Sequence, residues 1–194
     1  MKKIFYVMGK SASGKDTIYK KILEQMPRLS TVTLYTTRPM RDGEKDGVEY
    51  YFTDEKHLEQ LRTAGKVIES RTYETVCGPW TYATVDDGQF ERAGGGCLMI
   101  GTLESFEKLK TYFGESRIVP IYVEVEDGLR LLRAVERERQ QKNPKYAGVG
   151  RRFLADEADF SEENLKKCGI ARRYENEDLD VCMEQILTDI RKSL

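Results

Sequence analysis

The sequence predicts an α/β domain built on a parallel sheet, and two observations support this. Short apolar runs of strand length alternate with longer segments whose apolar residues recur at helical spacing. Such alternation is typical of a parallel sheet covered by helices, because neighbouring parallel strands must be joined by a crossover connection. The chain of 194 residues is also long enough to bury one core of this kind.

The first strand and the first helix are predicted near the N-terminus. Residues 4–8, with the sequence IFYVM, form a continuous apolar run that ends in glycine, as expected of a strand buried on both faces. Residues 15–26 follow as a helix that carries Ile18 and Ile22 on one side, and Pro27 ends it.

The later elements repeat this alternation. Residues 97–100 and 118–125 are predicted to be buried strands, and residues 103–113 form the helix between them. Pro120 should make the second strand less regular, because proline cannot donate to a strand ladder. Residues 128–141 predict a strongly basic helix. The last helix is amphipathic, with apolar residues in steps of three and four: Leu179, Cys182, Met183, Ile186, Leu187 and Ile190.

Two stretches interrupt the alternation of strands and helices. Residues 33–92 are rich in Thr, Tyr and Gly, and residues 130–156 are rich in Arg. We expect a single domain, 1–194, in which these stretches are lobes inserted into a core. The core is then formed by residues 1–32, 93–129 and 157–194.

Composition narrows the classes of function. The 32 basic and 33 acidic side chains give a net charge of −1, whereas nucleic-acid-binding proteins usually carry a basic excess, so no nucleic-acid partner is expected. No segment approaches the ~20 apolar residues of a membrane span, and the first apolar run is too short for a signal peptide. We expect a cytoplasmic protein without a membrane partner, whose cysteines are reduced thiols without C-x-x-C spacing: Cys77, Cys97, Cys168 and Cys182.

A phosphate-binding loop is predicted between the first strand and the first helix. The segment GKSASGKD fits the pattern G-x-x-x-x-G-K-[ST] at Gly9, Gly14 and Lys15. Its backbone N–H groups and the following helix N-terminus would surround an anion, and Lys15 would reach the β/γ-phosphates. The prediction is a P-loop NTPase-type core that binds ATP through Gly9, Lys10, Ser11, Ala12, Ser13, Gly14, Lys15, Asp16 and Thr17.

Asp16 departs from this pattern, because a Ser or Thr hydroxyl that coordinates Mg²⁺ is expected at its position. A carboxylate is itself a suitable Mg²⁺ ligand, so Asp16 is the predicted metal ligand. Two alternatives remain open. Asp16 could simply stabilise the helix start, where acidic residues are favoured, or Thr17 could supply the hydroxyl.

The segment TTRPMRDGEKDGVEYYF, residues 36–52, resembles the signature of guanylate kinases. The resemblance continues in VIES and TYAT, and it implies ATP, Mg²⁺ and a nucleoside monophosphate as small-molecule partners. It implies that GMP binds to Arg38, Arg41, Tyr50, Glu69, Tyr82 and Thr84. The chemistry agrees, because arginine forks grip a phosphate bidentately and a carboxylate can accept from guanine N1–H and N2–H₂ together.

The resemblance also covers the second half of the chain. LRLLRAVERER is similar to the arginine-rich lid of the family, and ENEDLDVCMEQI, residues 175–186, implies that Asn176 lies near the ATP adenine. Arginines around a transferring phosphoryl group stabilise its charge. The predicted catalytic residues are Lys15, Arg38, Arg133, Arg137 and Arg152, in a monomer or homodimer.

Three further positions differ from the family pattern. Ile100 and Thr102 stand where the family has two carboxylates, and Leu34 stands in place of a serine that would bond guanine. We therefore hypothesise that Asp16 compensates for the lost acids, with Glu104 as a weaker substitute. The elements GKD, TTRP and IGT also resemble ribose 1,5-bisphosphate phosphokinases, which are the alternative. A non-catalytic guanylate-kinase-like binding module is a third possibility, and GMP cannot be told from dGMP.

Overall fold

The computed structural model describes residues 2–75, 78–92 and 94–194. The expectations for Cys77 and for a core boundary at Ala93 lie outside these residues. The strands within them are β1 (Ile4–Met8), β2 (Ser30–Thr31), β3 (Tyr35–Thr36), β4 (Tyr51–Phe52), β5 (Val67–Thr75), β6 (Gly78–Val85), β7 (Cys97–Ile100), β8 (Ile118–Glu124) and β9 (Arg173–Glu175). The helices are α1 (Lys15–Gln25), α2 (Glu55–Thr63), α3 (Gln89–Arg92), α4 (Leu103–Phe113), α5 (Asp127–Arg139), α6 (Tyr146–Asp159), α7 (Glu162–Lys167) and α8 (Leu179–Ser193).

The main sheet is parallel throughout, with the strand order β2-β7-β1-β8-β9. This confirms the predicted fold class. Helices cover the sheet on both faces, so β1 is buried on both sides and its residues alternate between two cores. Ile4, Tyr6 and Met8 contribute to a core with α4 and α7, while Phe5 and Val7 contribute to a core with α1 and α8.

The predicted helices and strands of this layer are present with small shifts at their ends. The first helix ends at Gln25, two residues before Pro27. Pro120 lies inside β8, but the irregularity expected there is not observed, since the register with β1 is unbroken. The structure accommodates the proline because β9 pairs with β8 only from Tyr122 onward, so the β8 edge near Pro120 has no partner from β9.

A second sheet, with the order β4-β3-β6-β5, falls within the residues predicted to form the first lobe. Its main component is the antiparallel hairpin of β5 and β6, in which Glu69 is opposite Thr84. The register shifts between Val67 and Glu69, next to this pair. Leu58 of α2 packs under the hairpin against Ala83 and Val85.

Helices α5 and α6 contain most of the residues predicted to form the arginine-rich lid. They pack on each other and lead directly from β8 toward α7. Across the described part of the chain, none of the helices combines the length and the apolar character needed to cross a bilayer.

Candidate functional site

The phosphate loop leaves the carboxyl end of β1 and runs into α1, as the sequence predicts. Its backbone includes left-handed conformations at Ala12 (φ 63°) and Gly14 (φ 85°). Gly14 also lies against Asn176, and a Cβ built on this glycine would be 2.3 Å from Asn176 Nδ2. Only glycine therefore fits this close approach without a shift of its neighbour.

Asn176, which the sequence places near the ATP adenine, is buried beside the loop itself. Its Nδ2 donates to the Ser13 carbonyl at 2.8 Å. The main-chain carbonyl of Asn176 accepts a hydrogen bond from Arg133 Nη1 at 3.1 Å. One predicted lid arginine is thus tied, through Asn176, to the phosphate loop.

Lys15 and Asp16 lie at the first turn of α1. The ammonium of Lys15 is 3.8 Å from Asp16 Oδ2, and the Asp16 side chain is 78% exposed. No side chain caps this helix, because its N-cap residue is Gly14. Because its carboxylate is exposed, Asp16 can approach a cation beside the loop. It also lies in the first turn of α1, where the helix dipole stabilises an acidic side chain. Both interpretations of Asp16 remain consistent with this geometry.

The side chain of Lys10 is engaged by acids of α5 and α6. Its ammonium bonds Glu157 Oε1 at 2.6 Å and lies 3.4 Å from Asp127 Oδ1. Any ATP contact of Lys10 would therefore come from its main chain in this conformation.

Arg38, one of the two predicted phosphate-gripping arginines, has its fork engaged by Glu44. Its Nη1 and Nη2 donate to the two Glu44 oxygens at 2.9 and 2.8 Å, and Arg38 is only 3% exposed. The same carboxylate accepts from the Arg41 backbone N–H at 2.8 Å. These bonds lower the pKa of Glu44 to about 2, the Arg38 fork being the larger cause. Arg38 Nε is buried without a partner among the described residues.

Aromatic rings complete this side of the site. The guanidinium of Arg38 lies over the Tyr50 ring at 5.2 Å, and the Tyr50 and Tyr82 rings are 5.6 Å apart at an edge-on angle. Both tyrosines line an open cavity of about 340 Å³. Its other lining residues are Leu34, Arg71, Tyr73 and Trp80. The structure therefore brings Arg38, Tyr50 and Tyr82 together, while Arg41 is linked to them through its backbone N–H bond to Glu44. Their binding of one acceptor group stays a prediction.

Glu69 lies on β5 of the second sheet and is buried, at 5% exposure. The Thr84 hydroxyl donates to Glu69 Oε1 at 2.8 Å. Glu69 Oε2 accepts no hydrogen bond from the described residues, although Arg71 Nε lies 3.4 Å away. A buried carboxylate oxygen without a hydrogen-bond donor is costly unless a ligand supplies one.

Arg71 is a residue that sequence reasoning missed. Besides its ion pair with Glu69, it donates from Nη1 to Thr102 Oγ1 at 3.3 Å. Arg71 thus connects Glu69, the predicted base-reading acid, to Thr102, where the family pattern predicts a carboxylate. An arginine two residues after Glu69 on a strand, and so on the same face, is the signal that could have identified it.

The departures from the family pattern have visible local roles. Thr102 is the N-cap of α4 and accepts from the Ser105 N–H at 3.2 Å. Ile100 ends β7, and both Ile100 and Leu34 are half-buried and pack against the cores. Leu34 presents an apolar wall to the cavity beside Arg71.

The other two predicted lid arginines lie together. Arg137 and Arg152 line one surface cavity of about 520 Å³, and Arg152 Nη2 is 3.7 Å from Glu138 Oε2. Arg133 lies apart from that cavity, at its contact with Asn176.

Comparison with known proteins adds independent findings. The family described as guanylate kinase matches residues 1–89. A guanylate kinase of Rhodopseudomonas palustris is 41% identical over 66 residues, which cover 34% of this chain and 30% of that protein. A guanylate kinase of Frankia casuarinae is 31% identical over 113 residues, covering 57% of this chain and 59% of that protein. The chain thus aligns with less than two thirds of the length of either relative.

The fold similarity extends over a longer part of the chain. A crystal structure of guanylate kinase from Anaplasma phagocytophilum superposes with a TM-score of 0.58 and 22% identity. The superposition covers 98% of this chain and 86% of that one.

Proposed function

We propose that this chain, which belongs to the guanylate kinase family, transfers the γ-phosphoryl group of ATP to GMP and produces ADP and GDP. The observation that carries the proposal is the buried carboxylate of Glu69, which has one oxygen bonded to Thr84 and one without a hydrogen bond. Guanine presents N1–H and N2–H₂ as adjacent donors, whereas adenine has no such pair.

In this proposal the acceptor lies between Glu69 and the two arginines that follow β3, Arg38 and Arg41. Arg38 is preset by Glu44 and by the Tyr50 ring, so that its position is fixed before the substrate arrives. Its unpartnered Nε and the exposed Arg41 side chain would hold the acceptor phosphate. Tyr50 and Tyr82 would add phenol hydroxyls.

ATP would bind with its phosphates in the loop between β1 and α1. The loop amides and the N-terminus of α1 supply positive potential. Lys15 would contact the γ-phosphate and stay bonded to it during transfer. Phosphoryl transfer depends mainly on positioning and on charge, and no general base is required because the acceptor phosphate is already a nucleophile. Arg133, Arg137 and Arg152 would surround the group in transfer, and the residues of 33–92 and 130–156 would act as the two closing lobes.

The residues near the loop fit a magnesium ion in a limited way. Among the described residues there is no group of three metal-ligating side chains. Mg²⁺ is commonly held by one or two carboxylates together with substrate phosphates, and the exposed carboxylate of Asp16 suits that mode. When bound, the ion would neutralise phosphate charge. We assign Asp16 to it, and we assign the enzyme to the cytoplasm, where thiols such as the buried Cys97 stay reduced.

The alternative acceptor, ribose 1,5-bisphosphate, suits this site less well. Its second phosphate would have to replace the base and would meet the buried carboxylate of Glu69. Coupled ADP release with GMP, dGMP, AMP, UMP and ribose 1,5-bisphosphate tests the proposal. We expect turnover of GMP to be far above that of AMP, UMP and ribose 1,5-bisphosphate. A higher turnover of ribose 1,5-bisphosphate than of GMP would refute the proposal. ATP hydrolysis or transfer at any rate above background distinguishes an enzyme from a binding module.

A further inference from the structure

A cluster of charges around the buried Arg130 joins the two lid helices to the phosphate loop. It contains two cations, Lys10 and Arg130, and three acids, Asp127, Asp156 and Glu157. Arg130 is 1% exposed and is among the largest fully buried side chains of the described chain. None of the acids or Arg130 was singled out by the sequence, and none has a part in the proposed transfer.

This cluster holds both backbone polar groups of one loop residue, Ser11. The Ser11 N–H donates to Asp156 Oδ2 at 2.7 Å. The Ser11 carbonyl accepts from Arg130 Nη1 at 3.4 Å, and that same nitrogen lies 3.3 Å from Asp156 Oδ2. Asp156 and Arg130 are thus an ion pair that grips Ser11 on its donor and on its acceptor.

Ala12, the residue after Ser11, has a backbone conformation that needs support from its surroundings. Ala12 has a φ of 63°, a left-handed conformation that residues other than Gly, Asn and Asp rarely adopt. Such a conformation persists only where the surrounding structure determines it. The clamp on Ser11 fixes the chain directly before Ala12, at the point where the loop begins to curl around its anion.

Arg130 is itself held firmly in place. Its Nη2 donates to Asp127 Oδ1 at 2.9 Å and to Glu157 Oε1 at 2.6 Å. The guanidinium also stacks over the Phe153 ring at 4.3 Å. Because a buried charge that loses its partner is strongly unfavourable, the position of each member depends on the others.

We propose that Asp156 and Arg130 are positioning residues that hold the phosphate loop in its ATP-binding curvature and link it to the lid. Arg130 lies on α5 with Arg133 and Arg137, and Asp156 lies on α6 with Arg152. A movement of either helix therefore acts on the backbone of Ser11. The proposal rests on the proposed function in one respect, namely that the loop binds ATP phosphates.

Titration of ATP and GMP into the free enzyme, each alone, tests this proposal with Asp156→Ala and Asp156→Asn. Asn keeps an acceptor for the Ser11 N–H but loses the charge that pairs with Arg130. We expect Asp156→Ala to raise the Kd for ATP about tenfold and Asp156→Asn to raise it less. The Kd for GMP should stay within about twofold, because the acceptor site lies on the second sheet.

Asp159→Asn is the matched control, since Asp159 is an exposed acid at the end of the same helix. It should leave both dissociation constants unchanged. If Asp156→Ala does not fold, Asp156→Asn provides the comparison. An unchanged Kd for ATP in the folded variants, or an equal rise for ATP and GMP, would overturn the clamp. The ATP titration needs no acceptor, so a lack of GMP phosphorylation by the wild type refutes the proposed function separately.

Discussion

Glu44 accepts both arms of the Arg38 guanidinium, at 2.8 and 2.9 Å, and thereby fixes an arginine that the sequence assigns to the acceptor phosphate. Bidentate pairs of this kind set the orientation of the guanidinium as well as its charge. In this conformation Glu44 occupies the Arg38 fork, and Arg38 Nε is buried without a hydrogen-bond partner among the described residues. The Glu44 carboxylate thus organises the residues that we propose as the acceptor site.

The Glu44 carboxylate should make stability depend on acid pH. Its pKa is lowered from 4.5 to about 2 in the folded protein, so its contribution is complete above pH 4.5 and is lost as pH falls toward 2. We expect wild type to lose more free energy of unfolding than Glu44→Gln between these two pH values. Urea unfolding at several pH values measures this, with the exposed Glu163→Gln as control. Parallel pH profiles for wild type and Glu44→Gln would contradict the expectation.

Lys15→Ala should lose nearly all turnover while the protein remains folded. Lys15 is half-exposed, and its only described ion pair is a 3.8 Å contact with the neighbouring Asp16, so little stability depends on it. Steady-state kinetics and a thermal melt measure the two effects. Lys20→Ala, on an exposed position of the same helix, serves as control and should retain full activity. Near-normal turnover of Lys15→Ala would mean that the loop does not hold the transferred phosphate.

Asp16 should set the demand for magnesium. Asp16→Ser and Asp16→Ala should both need more Mg²⁺ for half-maximal turnover, with Ala more affected because it supplies no oxygen. If Asp16 only stabilises the first turn of α1, Asp16→Ser should lose about 0.3–1 kcal/mol of stability but leave the magnesium requirement unchanged. A magnesium titration of turnover for each variant separates these outcomes.

Thr102→Asp should partly rescue Asp16→Ser, if Asp16 compensates for the acids absent from Ile100 and Thr102. The change is suited to the fold because Thr102 is the N-cap of α4, a position that Asp also favours. The same magnesium titration applied to the double variant measures the rescue. No recovery in the double variant, or an unchanged magnesium requirement in Asp16→Ser itself, would refute compensation.

The two lobes, residues 33–92 and 130–156, should close on the core when both nucleotides bind. Closure would exclude water from the transfer and bring the lid arginines to the acceptor phosphate. We expect the radius of gyration from small-angle scattering to fall when a bisubstrate inhibitor is added. ATP alone provides the control for a partial change. Identical scattering curves with and without the inhibitor would count against closure.

The fold was largely predictable because its signals are local. The apolar run before Gly9, the spacing of apolar residues in α8 and the proline after α1 each depend on neighbours in the chain. Arg38, Arg41 and Tyr50 were predicted together because they lie in one continuous segment, and their role toward an acceptor stays a prediction. The position of Asn176 beside Ser13 was not predicted, since those residues are 163 positions apart.

The clamp on Ser11 was hidden from the sequence for the same reason. Asp156 and Arg130 are 145 and 119 positions from Ser11, and in the sequence they look like ordinary charges on basic or mixed helices. Arg71 was missed because strand alternation says which face it occupies but not that it meets Thr102. Side-chain partners that come from different elements are set by tertiary packing, which no local pattern encodes.

The central claim is that the Glu69 carboxylate recognises guanine. The preference for GMP over IMP, compared between wild type and Glu69→Gln, tests this claim most directly. IMP lacks only the 2-amino group, and a glutamine amide offers one acceptor oxygen where the carboxylate offers two. We predict that wild type prefers GMP by about tenfold in kcat/KM, in line with about 1–3 kcal/mol for an unpaired donor or acceptor. In Glu69→Gln this preference should shrink, while the KM for ATP stays near its wild-type value. The same GMP-to-IMP ratio in both proteins would contradict base reading by Glu69.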